Sequence, residues 1–195
     1  MISVLIDTSE KNLSVGVALD GKIIDRVERD AWQKQSEFLV AELSSLFERN
    51  HLEPKKIGEI ICSKGPGSYT GVRIAVSVAK VMAFALGVPL YMLSSLEALE
   101  HESDPTICLV NARSKRSYIG VYEGKACYLP DTIMSNDEVL AYRQAHPDYR
   151  LAGDLSYLGL DSPIPDRLGN LLRLHEERDR VDPLTAKPIY LKDLA

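Results

Sequence analysis

The stretch "GPGSYTGVRIAVSVAKVMAFAL", residues 65–86, joins a glycine-rich turn to a long apolar segment. Ser68 or Thr70 can cap a helix that begins at about Tyr69, because short polar side chains accept hydrogen bonds from the first free N–H groups of a helix. Gly87 directly follows the apolar segment and is typical of a helix end. The pattern therefore predicts a tight turn followed by a helix from about Tyr69 to Leu86.

The glycine turn matches neither of the common nucleotide-binding loops. A P-loop has lysine after its last glycine, whereas Val72 follows Gly71 here, and the spacing of Gly65, Gly67 and Gly71 is one residue too long for the dinucleotide fingerprint. The free N–H groups at a helix start can still bind an anion. We favour a structural interpretation, in which Gly65 and Gly67 adopt backbone angles closed to other residues.

The helix after the turn is apolar on nearly every face, which is typical of a helix buried all round. Its own sheet covers one side, so the rest of its surface indicates an interface with a second subunit. A fully internal helix remains the alternative. The residues expected to divide between the core and this partner interface, with one from the preceding helix, are Phe38, Val72, Ile74, Ala75, Val78, Ala79 and Met82.

Towards the N-terminus, "ISVLIDT" is typical of a buried strand, and "LSVGVAL" and "KIIDRVER" flank Asp20-Gly21, a strong hairpin signal. A helix within "SEFLVAELSSLFERN", with Ser36 as its cap, separates this hairpin from the strand "IGEIICS". The strand "PLYML" and a short helix in "SSLEALEHE" follow the central helix. Strands alternating with helices in this way predict an α/β fold with a mixed sheet.

After Asp104-Pro105 the strand pattern begins again with "TICLVNA", "SYIGVYE" and "ACYLP". A helix follows, for which Ser135 and Glu138 form a capping box, and then a short strand, further helices and a proline-punctuated tail. The sequence therefore predicts a first lobe over residues 1–104, which carries the partner-binding helices. It predicts a smaller second lobe with a C-terminal tail over residues 105–195.

Composition narrows the function classes. The chain has 195 residues and a formal net charge of −5, so it lacks the broad basic field expected of a protein that binds nucleic acid by itself. Its four histidines are scattered without metal-ligand spacing. The apolar start lacks the basic region of a signal peptide, and no apolar run reaches the roughly 18 residues that span a bilayer. We therefore expect a cytoplasmic protein that is not bound to a membrane.

Five short motifs occur in order along almost the whole chain: "IDTS", "GPGSYTGVRIA", "SSLEAL", "NAR" and "PIYLKD". In this order the motifs resemble those of the bacterial TsaB (YeaZ) family of threonylcarbamoyladenosine biosynthesis proteins, noncatalytic paralogues of TsaD. The resemblance implies the actin-like fold that is shared by sugar kinases and Hsp70 ATPases (ASKHA). This fold has two lobes of duplicated topology, and the short length of this chain implies a reduced second lobe.

The same resemblance implies a function. Members of this family help to form N6-threonylcarbamoyladenosine beside the anticodon of tRNAs that read codons starting with A. They act as noncatalytic scaffold or activator subunits that bind the catalytic subunit TsaD through first-lobe helices, and the ATPase TsaE joins the complex. Because the chain is acidic, we expect it to reach tRNA only through the complex. Without the partner, the same helix patch is expected to form a symmetric homodimer, because a self-complementary helix pair satisfies a two-fold axis.

This sequence lacks the metal-binding residues that the catalytic paralogue TsaD needs. TsaD needs an HxxxH pair, and Gln35 and Leu39 stand at those positions here. We therefore expect no metal, cofactor or catalytic residue of this chain's own, and a metal on the TsaD partner. The family often has Asp where Asn111 stands, which weakens a magnesium role there. We interpret Asp7 as a turn residue rather than a holder of magnesium-bound water.

Two enzymatic alternatives remain open. The first is a nucleotide-dependent transferase that binds ATP or ADP in the cleft between the lobes, and the second is a peptidase of the M22 type. The superfamily places its first phosphate loop at the positions of Asp7, Thr8 and Ser9. The candidate nucleotide or anion site comprises Asp7, Thr8, Ser9, Gly65, Gly67, Ser68 and Arg113.

Overall fold

The computed structural model describes residues 1–191, and its first sheet has six strands. They are β1 Ile2–Asp7, β2 Asn12–Leu19, β3 Lys22–Asp30, β4 Ile57–Ser63, β5 Leu90–Leu93 and β10 Arg180–Val181. The spatial order is β10-β5-β4-β1-β2-β3. The strands β1, β4 and β5 are mutually parallel, whereas β2, β3 and β10 pair in antiparallel fashion. This is the predicted mixed sheet.

The second sheet repeats this topology in shorter form. Its strands are β6 Thr106–Arg113, β7 Arg116–Glu123, β8 Ala126–Ser135 and β9 Arg150–Ala152, in the order β8-β7-β6-β9. As in the first sheet, three antiparallel strands precede a helix, and the next strand returns parallel to the first of them. No further parallel strand follows within the described residues. The predicted duplication and the reduced second lobe are therefore both present.

Four α-helices connect these strands: α1 Gln35–Arg49, α2 Tyr69–Leu86, α3 Asn136–Ala145 and α4 Arg167–Leu174. The predicted bounds of α2 are confirmed. Ser68 Oγ accepts a hydrogen bond from the Gly71 N–H (3.3 Å), and Gly87 has the left-handed φ of 67° typical of a helix end.

Two local predictions were wrong. Helix α1 begins at Gln35 after Lys34, so Ser36 lies inside its first turn and is not the cap. The segment "SSLEALEHE" forms only a 3-10 turn, Glu97–Leu99. Ser94 Oγ accepts from the N–H groups of Leu96 and Glu97, which caps this turn, but no further helical turn follows.

Helices cover both faces of the first sheet. On one face α1 and α2 pack on the sheet, and the core there includes Leu39, Val72 and Ala75. On the other face α4 places three buried leucines, Leu168, Leu171 and Leu174, against Leu5, Ile61 and Leu93. Burial on both faces explains why β1 has consecutive apolar residues at Val4, Leu5 and Ile6, since neither set of alternating side chains faces water.

The C-terminal segment returns to the first lobe. Strand β10 pairs with β5, and α4 packs on β1 and β4. The division expected at residue 104, which assigned residues 105–195 to the second lobe, therefore does not hold for the segment from Arg167 to Val181. The leucines of α4 recur at helical spacing and cover apolar first-lobe surface that is otherwise open to solvent. Residues 192–195, including the end of "PIYLKD", lie outside the described residues.

Helix α2 is, among the described residues, the one helix long and apolar enough to cross a membrane by length and composition. Arg73 and Lys80 interrupt this helix, so it contains no uninterrupted apolar run of about 18 residues, as expected from the sequence. One such helix is weak evidence, because the central helix of a folded lobe has the same composition. Here 33% of α2 is buried, with Val72, Ala75 and Ala79 in the core of the first lobe.

Candidate functional site

A cleft of about 880 Å³ opens beside the turn after β1, the start of α2 and the β6–β7 hairpin. Of the seven residues predicted for a nucleotide or anion site, five line it: Asp7, Ser9, Gly67, Ser68 and Arg113. Trp32, Tyr118 and Arg167, which were not predicted from the sequence, also line the cleft. Segments from both sheets therefore meet at the place where the superfamily resemblance puts a nucleotide.

Thr8 and Gly65 do not line this cleft. Thr8 is buried, and its Oγ1 donates a hydrogen bond to the carbonyl oxygen of Gly71 (2.7 Å). Gly65 has a φ of 97°, as predicted, and a Cβ at this position would lie 2.5 Å from the Ile189 carbonyl oxygen. Both residues therefore join parts of the chain, Thr8 at the first turn of α2 and Gly65 at the C-terminal segment.

Gly67 is required for a reason other than the predicted one. Its φ is not positive. A Cβ at this position would instead lie 2.2 Å from the Ser9 carbonyl oxygen, to which the Ser68 N–H donates at 2.6 Å. The glycine turn therefore packs directly on the turn after β1.

Asp7 is held from several directions. Its Oδ1 accepts hydrogen bonds from the Ser9 N–H (2.9 Å) and from Ser63 Oγ (2.6 Å), while its Oδ2 accepts from Arg167 Nη1 (3.0 Å). The same guanidinium donates to Ser9 Oγ (3.0 Å) and to the carboxylate of Glu10. The side chains of Asp7 and Arg167 are 4% and 10% exposed, so this is a buried ion pair at the base of the cleft.

The ionisation of Asp7 follows from these contacts. Burial by itself raises the pKa of this carboxyl, but the charge of Arg167 and the hydrogen bonds from Ser63 and Ser9 outweigh burial and hold the pKa below its ordinary value. Asp7 is therefore a carboxylate at neutral pH. Since both of its oxygens already accept hydrogen bonds, it is poorly placed to take a proton from a substrate.

Gln35 and Leu39, which the resemblance places at the HxxxH positions of TsaD, both make internal contacts. Gln35 is buried and donates from Nε2 to the Glu10 carbonyl oxygen (3.1 Å), and Leu39 lies in the apolar core. Within the part of the chain that the structure describes, no group of three or more His, Cys, Asp or Glu side chains is placed to hold a metal ion. Burial also raises the pKa of the Cys62 thiol to about 12, which leaves it protonated.

Arg113 occupies the outer edge of the cleft. Its guanidinium carbon lies 5.7 Å from the ring centre of Trp32, which is 44% exposed. The backbone N–H of Arg113 donates to Asn111 Oδ1 (2.8 Å). Asn111 therefore shapes the start of the hairpin turn.

Helix α2 presents a second candidate site on its outer side. Of the predicted interface residues, Val72, Ala75 and Ala79 are fully buried and cannot contact a partner, whereas Phe38, Ile74, Val78 and Met82 are half-buried. The most exposed apolar residues were missed by the sequence analysis: Tyr69 (59%), Val81 (68%) and Phe84 (64%). We define the α2 outer face as Tyr69, Ile74, Val78, Val81, Met82 and Phe84.

A groove of about 370 Å³ adjoins this face. It is lined by Ser36 of α1 and by Tyr69, Thr70, Arg73, Ile74, Ser77 and Val78 of α2. Ile74 and Val78 are half-buried in this groove, whereas Tyr69, Thr70 and Arg73 are exposed. The exposure of Val81 and Phe84 could have been predicted from their spacing. Both lie on the side of the helix opposite the small residues Ala75, Ala79 and Ala83, which face the sheet.

Sequence comparison relates the chain to proteins of tRNA modification. The model of the TsaD family, described as tRNA N6-adenosine threonylcarbamoyltransferase, matches residues 28–162. The tRNA threonylcarbamoyladenosine biosynthesis protein TsaB of Bacillus subtilis (strain 168) is 30% identical over 145 residues, which are 72% of this chain and 63% of that protein. The TsaB protein of Haemophilus influenzae is 20% identical over 219 residues, covering 96% of this chain and 92% of its own.

Solved structures show the same fold. YeaZ from Pseudomonas aeruginosa has a TM-score of 0.82 at 22% identity, with 97% of this chain and 99% of the other covered. A second structure, described as similar to peptidase YEAZ from Pseudomonas aeruginosa, has a TM-score of 0.83 at 22% identity, with 98% and 99% covered. Together with the duplicated sheets, this likeness confirms the predicted actin-like fold.

Proposed function

The chain belongs to the TsaD family of tRNA N6-adenosine threonylcarbamoyltransferases, and from this membership we propose that it helps to form N6-threonylcarbamoyladenosine in tRNA as a noncatalytic subunit. The proposal follows the names of its TsaB relatives. In it, the chain binds and activates a TsaD-type catalytic subunit, which holds the metal ion and performs the transfer. The chain itself supplies no cofactor.

The α2 outer face carries this proposal. Val81 and Phe84 are each more than three-fifths exposed on a helix whose opposite side is the core of the first lobe. Apolar side chains clustered in this way lose contact with water when a second subunit covers them, which stabilises the complex by about 25 cal/mol per Å² buried. A typical stable interface buries about 800 Å² on each partner.

Two features of the cleft support a noncatalytic role. Gln35 and Leu39 replace the histidines of the catalytic paralogue and are both committed to internal contacts. Asp7, the acidic residue of the predicted phosphate loop, forms a buried ion pair with Arg167. No observation on the described residues favours the peptidase or transferase alternatives over the subunit role.

The remaining partners follow from charge and from the exposed helix. With a net charge of −5, the chain would reach tRNA through the complex rather than by itself, because free binding to nucleic acid depends on neutralising phosphates with basic side chains. A TsaE-type ATPase completes the proposed complex, and the complex is located in the cytoplasm. In the absence of TsaD, the α2 outer face would pair with its own copy about a two-fold axis.

The test is to replace Phe84 with Asp and measure binding to the TsaD-type paralogue by co-purification and calorimetry. A charge at the centre of an apolar interface is costly to bury, so we expect the Kd to rise by at least about tenfold. Formation of the modified nucleoside by the reconstituted complex should fall in parallel. Tyr128→Asp is the matched control, because Tyr128 is 54% exposed on β8 of the second sheet, away from α2.

Binding that is unchanged in Phe84→Asp, or reduced equally in Tyr128→Asp, would contradict the proposed contact face. Circular dichroism of both variants checks that the fold is retained. If the wild-type chain neither binds the paralogue nor increases nucleoside formation, the subunit role itself is wrong.

A further inference from the structure

The actin-like fold implies a metal-bound nucleotide between its lobes, so the donors at the base of the cleft can be tested for their fit to that group. Carboxylate and hydroxyl oxygens with free lone pairs are the ligands that magnesium prefers. The carboxylates of Asp7 and Glu10 and the hydroxyl of Ser9 stand in this position, but each already accepts a hydrogen bond from Arg167. The site therefore does not fit a metal–nucleotide.

The position of Arg167 is determined by several contacts. It is the first residue of α4, and the leucines of α4 are buried on the sheet. Asp166, which caps α4, accepts from the Gly169 N–H (3.0 Å) and from Arg26 Nη1 (2.6 Å). The packing of α4 on the sheet therefore fixes the guanidinium at the base of the cleft. If the guanidinium moved away, the buried Asp7 carboxylate would lose its counter-charge.

We propose that Arg167 is a built-in cation, which takes the place that a metal ion would need beside Asp7 and so closes the cleft to metal–nucleotide binding. The guanidinium neutralises Asp7 and contacts Glu10, and it joins α4 to the turn after β1 through Ser9. The base of the cleft thereby receives its positive charge from a residue of the same chain, and α4 is held against the turn after β1.

The proposal is independent of the α2 outer face and is tested on the full-length chain. Binding of Mn²⁺ alone and of Mg²⁺–ATP is measured by calorimetry, and the thermal unfolding midpoint is measured with and without Mn²⁺. The variants are Arg167→Met, which removes the charge at similar length, and Arg167→Lys, which keeps a cation. The double variant Asp7→Asn with Arg167→Met removes both charges.

We expect no binding of Mn²⁺ or Mg²⁺–ATP by the wild-type chain or by Arg167→Lys. Arg167→Met should gain one Mn²⁺ per chain and show a thermal midpoint that rises with added Mn²⁺, and the double variant should lose both effects. Stoichiometric binding of Mn²⁺ or Mg²⁺–ATP by the wild-type chain would overturn the proposal. An Arg167→Met variant that folds and responds to Mn²⁺ as the wild type does would overturn it too. If Arg167→Met does not fold, the wild-type and Arg167→Lys measurements still decide.

Discussion

Gly71 lies in the first turn of α2, where the helix packs on the turn after β1. A Cβ built on Gly71 would lie 1.9 Å from the Thr8 carbonyl oxygen, and the Thr8 side chain donates to the Gly71 carbonyl oxygen. The Thr8 carbonyl group belongs to the backbone, and the Thr8 side chain is bonded to backbone, so Thr8 cannot move aside without a cost in free energy. The first turn of α2 can therefore pack closely on the turn after β1 only because Gly71 has no Cβ.

This contact predicts losses of stability of different size at the two ends of α2. Alanine inside a helix is normally favoured over glycine by about 1 kcal/mol, but in Gly71→Ala we expect the clash to lower the free energy of unfolding by about 3 kcal/mol. Gly87→Ala is the control, because no heavy atom lies within 4 Å of its Cβ position and only its φ of 67° opposes the change. That variant should lose about 1 kcal/mol. Urea unfolding of both variants measures the difference, and a smaller loss in Gly71→Ala contradicts the contact.

Among the residues at the base of the cleft, some could be predicted from the sequence and one could not. Asp7 and Ser9 were named as candidates because the resemblance places a phosphate loop at these positions, and both residues line the cleft. Their partner Arg167 lies 160 positions from Asp7, and neither spacing nor composition connects the two. The choice between a turn residue and a metal holder therefore needed the tertiary structure, since it depends on which cation reaches the carboxylate.

At the scale of elements, two hairpins use the same turn with different residues. Asp20 and Gly21 join β2 to β3 with φ values of 51° and 77°, and Ser114 and Lys115 join β6 to β7 with 51° and 58°. Positive φ at both central residues is the pattern of a type I′ turn, which favours Asn or Asp followed by Gly. The second hairpin therefore carries strain that the first avoids.

Exchanging these residues predicts changes of opposite sign. The double variant Ser114→Asn with Lys115→Gly should raise the free energy of unfolding by about 1 kcal/mol, while Gly21→Lys should lower it by about 1 kcal/mol. All of these side chains are exposed, so packing contributes little. Chemical denaturation measures both effects, and two changes of the same sign would show that turn conformation does not decide them.

Elements with local signals were predicted well. The bounds of α2, the Asp20-Gly21 hairpin and the capping box of Ser135 and Glu138 are all confirmed, because each depends on side chains within a few positions. The segment around Glu97 has a cap and helical spacing, yet it forms one 3-10 turn. There the chain must enter β6 at Thr106, and the tertiary connection outweighs local helix preference.

At the scale of the whole molecule, ion pairs attach the C-terminal segment to the first lobe. Arg167 pairs with Asp7, Arg173 with Glu100, His175 with Glu59 and Arg178 with Glu97. In each pair the segment supplies the cation, and a buried or half-buried carboxylate lies in the first lobe. The sequence predicted a second lobe up to its end because strands and helices continued. It gave no sign that the charges of this segment complement those of a lobe more than 60 residues earlier.

The pair of His175 and Glu59 makes this attachment depend on pH. His175 Nε2 lies 3.6 Å from Glu59 Oε2, its Nδ1 contacts the Leu172 carbonyl oxygen (2.8 Å), and Tyr91 packs edge-on against its ring. The Glu59 carboxylate raises the pKa of His175 and burial opposes this rise, while Asp179 adds a smaller effect in the same direction as Glu59. His175 in turn lowers the pKa of Glu59, which also accepts from Ser3 Oγ (2.6 Å).

The sign follows from proton linkage. Because the folded pKa of His175 lies above its ordinary value of 6.5, the stability it contributes is fully present below about pH 6.5 and is lost as the pH rises through the folded pKa. The matching contribution of Glu59, whose pKa is lowered from 4.5, is lost only as the pH falls through its folded pKa.

We therefore expect His175→Gln to lower the free energy of unfolding more at about pH 5.5 than at about pH 8. His51→Gln, at an exposed position in the turn after α1, should show no such difference. Urea unfolding of the wild type and both variants at the two pH values measures this, and a loss in His175→Gln that is equal at both would mean that the imidazole acts here through packing against Tyr91 and not through its charge.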